Sequence, residues 1–314
     1  MAHISVVIPV YKAEGCLHEL YRRLIASLEI ITEDFEIIMV EDSSGDRSWE
    51  IIEELSQQDA RLQGIRFSRN FGQHAATICG IGKSTGAWIV TIDDDLEQNP
   101  EDIPALFAKA QEGYDLVYGV YEQRSHSLWR NITSRIARRC FNIAIPSLNY
   151  EYTSFRIIRN TVAKALTSFD SPFPFIDGYL SWVTNNYSTV VVQHNKRQHG
   201  TSNYSLMKLI KHTINIFVTF SDLPLKIASW VGLASFLFGV LWLSLILLRK
   251  ILGGVTVSGY ASLMAGIIVF GGLQLLILGV FGEYLGRINF KTSRKPLFLI
   301  SNETDFKRVH SWKE

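Results

Sequence analysis

Apolar β-branched runs alternate with amphipathic stretches through the first 120 residues of this chain. Residues 4–10, 35–40, 64–67, 88–92 and 115–120 are short, mostly rich in Val and Ile, and bounded by polar turns, which predicts five strands. Between them, residues 16–30 and 48–58 repeat apolar positions at helical spacing. Such alternation predicts a mostly parallel sheet covered by helices on both faces. Pro9, which cannot donate to a sheet ladder, suits a strand's end better than its middle. From residue 125 to 199 the pattern is less regular, with a basic helical stretch at 129–143. Phe155-Arg-Ile-Ile158, an aromatic loop around Phe173-Pro-Phe175 and a strand at 189–192 follow, and we assign them to the same domain.

A different pattern takes over further on. Leu206, Ile210, Ile214 and Phe217 fall on one helical face, with Lys208, Lys211, His212 and Asn215 on the other. That describes either a core-packing helix or one lying in a membrane interface with its cations toward lipid headgroups. Its position just ahead of a long apolar stretch favours the interface. Residues 227–248 and 251–282 contain no charge, and each run exceeds the ~20 residues that cross a bilayer core. Arg249 and Lys250, followed by Gly253-Gly254, separate them. Lysines at 208, 211 and 226 precede the first span, and Arg287, Lys291, Arg294 and Lys295 follow the second. The positive-inside rule then predicts a multi-pass protein of the cytoplasmic membrane with both termini in the cytoplasm. The expected division is a domain at 1–204, a juxtamembrane helix at 205–226, spans at 227–248 and 261–282, and a tail at 283–314.

Composition adds exclusions. A formal net charge of +1 gives no bulk field that would point to nucleic acid. Cys16, Cys79 and Cys140 are widely spaced and odd in number, which fits a reducing compartment and no disulfide framework or zinc site. Met1-Ala-His3 runs straight into the first strand, so no signal peptide is expected.

The candidate chemistry sits where strands end. The run Asp93-Asp94-Asp95-Leu96-Glu97-Gln98-Asn99-Pro100-Glu101 follows the fourth predicted strand. In an open α/β sheet that edge is where ligands bind. Asp93 and Asp95 should project to one side, with Glu97 able to join them after the turn. Crowded carboxylates raise one another's pKa unless a cation neutralises them. One reading is hard oxygen ligands for a divalent metal shared with substrate phosphates; the other is a solvated acidic turn capping the helix near Pro100. Three more segments end strands on the same edge: Val7-Ile-Pro-Val-Tyr-Lys-Ala-Glu14, Val40-Glu-Asp-Ser-Ser-Gly-Asp46 and Arg69-Asn-Phe-Gly-Gln-His-Ala-Ala76. There Asp42 can accept hydrogen bonds from a base, and Arg69 can meet a diphosphate.

Together these motifs resemble the GT-A, family 2 glycosyltransferases, and more narrowly the polyprenyl-phosphate glycosyltransferases. The resemblance covers nearly the whole chain. It includes Arg197-Gln-His-Gly-Thr-Ser-Asn-Tyr204 and Phe281-Gly-Glu-Tyr-Leu-Gly-Arg287. It implies a GT-A domain followed by an interfacial helix and two transmembrane helices. It also implies transfer of one sugar, with inversion, from a nucleotide-sugar to polyprenyl (undecaprenyl) phosphate, in cell-envelope, lipopolysaccharide or O-antigen glycan assembly. UDP, GDP and dTDP donors stay open, with UDP preferred because bacterial relatives commonly use it. Carried over by position, Pro9, Tyr11, Glu14 and Asp42 contact the nucleoside, with Arg69, Asp93 and Asp94 beside the nucleotide. Asp93, Asp95 and Glu97 surround a divalent metal, Mg or Mn, and Arg197 binds phosphate near the acceptor. A homo-oligomer through the spans is implied as well. Two departures stand out: Asp94 and Glu97 where many relatives have Asp-Ala-Asp-x-Gln, and Thr153-Ser-Phe-Arg156 where they often have Gly-Asp-Phe-Arg. No catalytic carboxylate can be assigned at the second.

The implied nucleophile is a phosphate oxygen. A phosphate monoester with its second pKa near ~6 is already largely dianionic in cytoplasm, so a strong general base is dispensable. Catalysis then rests on positioning and charge management, with Asp95 at the metal and planar guanidinium groups holding the incoming phosphate. Candidates are Arg130, Arg135, Arg156 and Arg197; Asp177 either reads sugar hydroxyls or serves a turn before Gly178. Two competing classes are a processive polysaccharide synthase and a non-enzymatic scaffold. The first lacks its Gln/Arg-x-x-Arg-Trp-type motif here, and the intact acidic run argues against the second.

Overall fold

The structure is a computed structural model, and it describes residues 3–121, 148, 150–169, 171, 174–193, 195, 221, 223–252, 259–293 and 296–304. Two compact units divide the chain, Met1–Ser205 with Pro296–Glu314, and Leu206–Lys295. The basic stretch at 129–143 and nearly all of the expected interfacial helix lie outside the described residues.

The first unit is built on one eight-stranded sheet in the order β7-β5-β6-β4-β1-β2-β3-β8. Its strands are β1 Ile4–Val10, β2 Phe35–Glu41, β3 Leu62–Phe67, β4 Trp88–Thr91, β5 Leu116–Tyr121, β6 Arg156–Arg159, β7 Tyr187–Val192 and β8 Ile300–Glu303. β1 pairs in parallel with β2 and β4, and β2 in parallel with β3. β6 runs antiparallel between β4 and β5, and β7 lies parallel to β5. The mostly parallel sheet expected from the sequence is therefore present, with β6 and β8 as the two reversed strands.

Why these runs form central strands is visible in their burial. All seven residues of β1 and of β2 are buried, the behaviour of parallel strands covered on both faces. Helices α1 Leu17–Glu29, α2 Ser48–Gln58, α3 Gln73–Lys83 and α4 Ile103–Gln111 connect them. In α1 the buried positions Leu17, Leu20, Leu24 and Leu28 recur every three or four residues, one stripe facing the sheet. Pro100 opens a single 3-10 turn ahead of α4, where its missing N–H costs nothing. After β6 come the short helices α5 Asn160–Ala165 and α6 Ile176–Val183.

The second unit contains two long helices, α7 Leu223–Ile251 and α8 Tyr260–Thr292. Each holds a window long and apolar enough to cross a membrane, Leu223–Trp242 and Val269–Gly286. α8 runs ten residues past the span expected to end at 282, because polar residues end an apolar run without ending a helix. The segment at 283–314, expected as a tail, also contributes β8, which pairs antiparallel with β3.

Candidate active site

β1 is the point where chain connections diverge, to β2 on one side and β4 on the other, and the C-terminal edge at such a point is where open α/β sheets bind ligands. The loops there carry backbone strain. Lys12, Ser43 and Leu96 are the non-glycine residues with positive φ among the described residues, at 57°, 54° and 61°. They follow β1, β2 and β4 respectively. Strain of this kind persists where surroundings over-determine it, and it concentrates at ligand-binding edges.

Hydrogen bonds join the loops pairwise. Tyr11 N–H donates to Asp94 Oδ2 at 2.8 Å, tying the β1 loop to the acidic run. Glu14 N–H donates to Asp46 Oδ2 at 3.3 Å, and Arg47 N–H returns a bond to Glu14 Oε2 at 3.0 Å. Asp42 is buried and accepts from Phe71 N–H at 2.6 Å and Gly72 N–H at 2.8 Å, which fixes the β3 loop against the β2 loop. Burial pushes the Asp42 carboxyl up, and these two amide bonds oppose the shift. Pro9 is the penultimate residue of β1, Tyr11 is exposed, and the exposed Arg69 guanidinium lies 4.8 Å from the Phe71 ring centre. The sequence-expected donor residues Pro9, Tyr11, Glu14, Asp42, Arg69, Asp93 and Asp94 thus sit at the ends of β1, β2, β3 and β4.

Asp93 is held by three side chains. Gln73 Nε2 donates to its Oδ1 at 2.6 Å; Ser154 Oγ and Gln98 Nε2 donate to its Oδ2 at 2.5 and 3.1 Å. Gln98 also accepts from Asp93 N–H at 3.0 Å and donates to Ser154 Oγ at 2.7 Å. Burial and then the nearby Asp95 push the Asp93 carboxyl up to about 6, against the pull of the Ser154 bond. Asp94 is pushed up to about 7 by burial, with Asp93 and Asp95 adding repulsion. Asp95 Oδ1 accepts from Glu97 N–H at 3.1 Å, a tight turn that carries the chain over the buried Leu96. Sequence reasoning missed Gln73, Gln98 and Ser154, because an amide or hydroxyl carries no charge signal and because Gln73 and Ser154 lie far from Asp93 in sequence.

Arg156, expected among the phosphate-binding arginines, is enclosed. It is 2% exposed, its Nη1 pairs with Asp177, its Nε donates to Thr91 Oγ1 at 3.2 Å, and Tyr118 donates its hydroxyl to Asp177 Oδ1 at 3.1 Å. A guanidinium so enclosed braces β4, β6 and α6 against one another. The same contacts give Asp177 its role: it is the counter-ion in the first turn of α6. Arg130, Arg135 and Arg197 lie outside the described residues.

Among the described residues no three His, Cys, Asp or Glu side chains are arranged to hold a metal ion. Hard cations that act on diphosphates are held by one or two carboxylates, with phosphate oxygens and water completing the shell. Carboxylates raised by burial and mutual repulsion fit that need, since a cation relieves both.

A parallel sheet with strained, carboxylate-bearing loops along one edge is the GT-A arrangement of a glycosyltransferase. The chain belongs to glycosyl transferase family 2, whose profile matches residues 5–172. It is similar to the uncharacterized glycosyltransferase YkcC of Bacillus subtilis, 35% identical over 301 residues and covering 94% of this chain and 92% of that protein. It is also similar to the undecaprenyl-phosphate 4-deoxy-4-formamido-L-arabinose transferase of Pseudomonas aeruginosa, 34% identical over 304 residues, 95% of this chain and 89% of that one. Among solved structures, glucosyl-3-phosphoglycerate synthase from Mycobacterium tuberculosis matches with a TM-score of 0.49 and 20% identity over 70% of this chain and 78% of that one. A likeness that distant bears on neither donor nor metal.

Proposed function

We propose that this protein transfers a single sugar, with inversion, from a nucleotide-sugar to polyprenyl phosphate at the cytoplasmic face of a bacterial inner membrane. UDP is the preferred donor nucleotide. The observation that carries the reading is a conjunction in one chain. The donor-edge loops are knitted together through Asp42, Asp46 and Asp94, and two helices long enough to span a bilayer follow in sequence. The undecaprenyl-phosphate transferase that resembles 95% of the chain supports the lipid acceptor. A lipid whose tail stays in the bilayer calls for an enzyme held there, and α7 and α8 supply the anchor, with oligomerisation through them part of the same reading.

The residues divide the work. Tyr11, Glu14, Asp42 and Arg69 line the nucleoside and diphosphate side, with Pro9 setting the direction of the β1 loop. Asp95 and Glu97, with Asp93 beside them, would hold a Mg or Mn ion. When bound, that ion supplies positive charge to the departing diphosphate. Gln73, Gln98 and Ser154 keep the Asp93 carboxylate in one orientation, so its charge is preorganised. Arg197, with Arg130 and Arg135, holds the acceptor phosphate in line with the sugar's anomeric carbon. The phosphate itself brings the negative charge that attacks, so no side chain need remove a proton.

Transfer of radiolabelled sugar from UDP-, GDP- and dTDP-sugars into organic-extractable lipid tests the reading. We expect one donor to label the lipid, EDTA to stop it, and Asp95→Asn to slow it at least ~100-fold. Full activity in excess chelator sinks the metal assignment, and label appearing in a water-soluble polymer sinks the lipid acceptor.

A further inference from the structure

The segment that follows α8 returns to the sheet beside the donor loop. β8 pairs with β3, and the register slips between Arg66 and Phe67, the last residues before that loop. Such irregularities re-aim side chains next to binding sites. Here Ser68 N–H donates to Leu299 O at 2.9 Å, so the backbone at the loop's start is pinned by the C-terminal segment. The Phe298 ring stacks on Phe67 with centroids 5.0 Å apart and planes 11° from parallel. Phe67 in turn meets Phe71 edge-on at 5.6 Å and 88°. Phe71 is the residue whose N–H donates to Asp42 Oδ1. Leu297, Phe298 and Ile300 also pack on the buried cluster of Ile38, Val40, Ile65 and Phe67.

We infer that Phe298 is a positioning residue for the nucleotide donor: through the Phe67–Phe71 pair it sets the loop whose amides clamp Asp42. This rests on the reading of Asp42 and its loop as donor site. A plain edge-covering strand would need only backbone pairing, and β8 supplies that elsewhere, where Ile65 pairs with Glu303 and Arg66 with Asn302. The aromatic relay adds a path that ends on a carboxylate of the crevice. It makes donor binding depend on residues that come after both long helices in the chain.

The full-length protein carrying Phe298→Ala tests this, with Phe298→Tyr as the variant that keeps the ring. Amide exchange is followed for residues 68–76 and, as a reference, for β1. Transfer kinetics are measured with the nucleotide-sugar that labels lipid in the wild type. For Phe298→Ala we expect exchange at Phe71 and Gly72 to quicken ~10-fold while β1 is unchanged. The donor KM should rise ~5-fold, with kcat and the KM for polyprenyl phosphate within ~2-fold of wild type. Phe298→Tyr should restore both. Unchanged exchange at Phe71 and Gly72 breaks the relay and overturns the inference, leaving the donor-site reading intact. Exchange that quickens equally in β1 also overturns it, because Phe298 is then a general core residue. Local quickening with an unaltered donor KM removes the loop from the donor site, and the inference falls with that reading.

Discussion

The sheet and the two long helices are both strongly apolar, yet they treat their side chains in opposite ways. Ile4, Val6, Ile8, Leu20 and Leu24 are fully enclosed, whereas Trp230 and Leu275 are each 70% exposed. None of the Val269–Gly286 window is buried. Soluble domains leave single apolar side chains exposed but not whole faces of helices. The exposed apolar faces of α7 and α8 suit hydrocarbon, whereas the enclosed core of the first unit suits water outside it. Polar groups follow the same division. Inside the first unit Ser5, Glu36, Asp42, Arg156 and Asp177 are buried with partners, while the Leu223–Trp242 window carries one charge, Lys226, near its start.

The largest expected effect probes how the sheet unit tolerates charge. Arg156→Met leaves Asp177 enclosed without its counter-ion and should destabilise that unit by ~3–5 kcal/mol. Replacing both partners, Arg156→Met with Asp177→Leu, should recover much of the loss. Thermal unfolding of the two variants in detergent measures the difference, and equal losses would mean that the pair's geometry, not charge burial, is what matters.

A second pair of substitutions sets the two regions side by side. Ile30 is 76% exposed in the first unit and Leu275 is 70% exposed in α8. Ile30→Arg should change stability by less than ~0.5 kcal/mol, as exposed positions in water do. Leu275→Arg should cost ~2.5–3.5 kcal/mol of membrane insertion, seen as loss of protein from the membrane fraction. Equal tolerance at both positions would mean that both faces meet water.

The smallest effect is in pH. Burial raises the Asp46 carboxyl, but bonds from Ser44, Ser48 and Glu14 outweigh it and hold the group below its ordinary 3.8. A depressed carboxyl contributes stability above its unfolded value and loses it as pH falls through the folded value. Asp46→Asn should therefore lower the unfolding midpoint at neutral pH, and the gap should close as pH drops below 3.8. The helical signal from residues 227–248, which hold no charge, should not follow that titration.

What the sequence disclosed tracks how each residue interacts. β1 to β5 and β7 announce themselves in their apolar runs, whereas β6, Arg-Ile-Ile-Arg, is too short and too charged at its ends to do so, and the acidic run lies at the end of β4 as expected. β8, Ile-Ser-Asn-Glu, has one apolar residue in four on an edge, too few for any period to emerge. The charge of Arg156 is visible in the sequence, but its enclosure and its pairing with Asp177, 21 residues away, are not. Asp93 was legible as a carboxylate, but its orientation depends on Gln73 and Ser154, brought in from 20 and 61 positions away. The donor KM and exchange measurements at Phe298 bear on the same gap, since its aromatic relay to Asp42 leaves no mark in a hydropathy pattern.

β8 also imposes a parity rule. Its hydrogen bonds to β3 put it in the same sheet as β1 to β7, and a sheet cannot be assembled through a bilayer. Everything between Val192 and Ile300 must therefore leave and return to one compartment, crossing an even number of times or not at all. A chain in which only one of the long helices inserts would have to surrender β8, and with it the Phe298 stack on Phe67. Pairing of β8 with β3 is thus compatible with both long helices inserting or with neither, because a single crossing would leave the β3 edge unpaired.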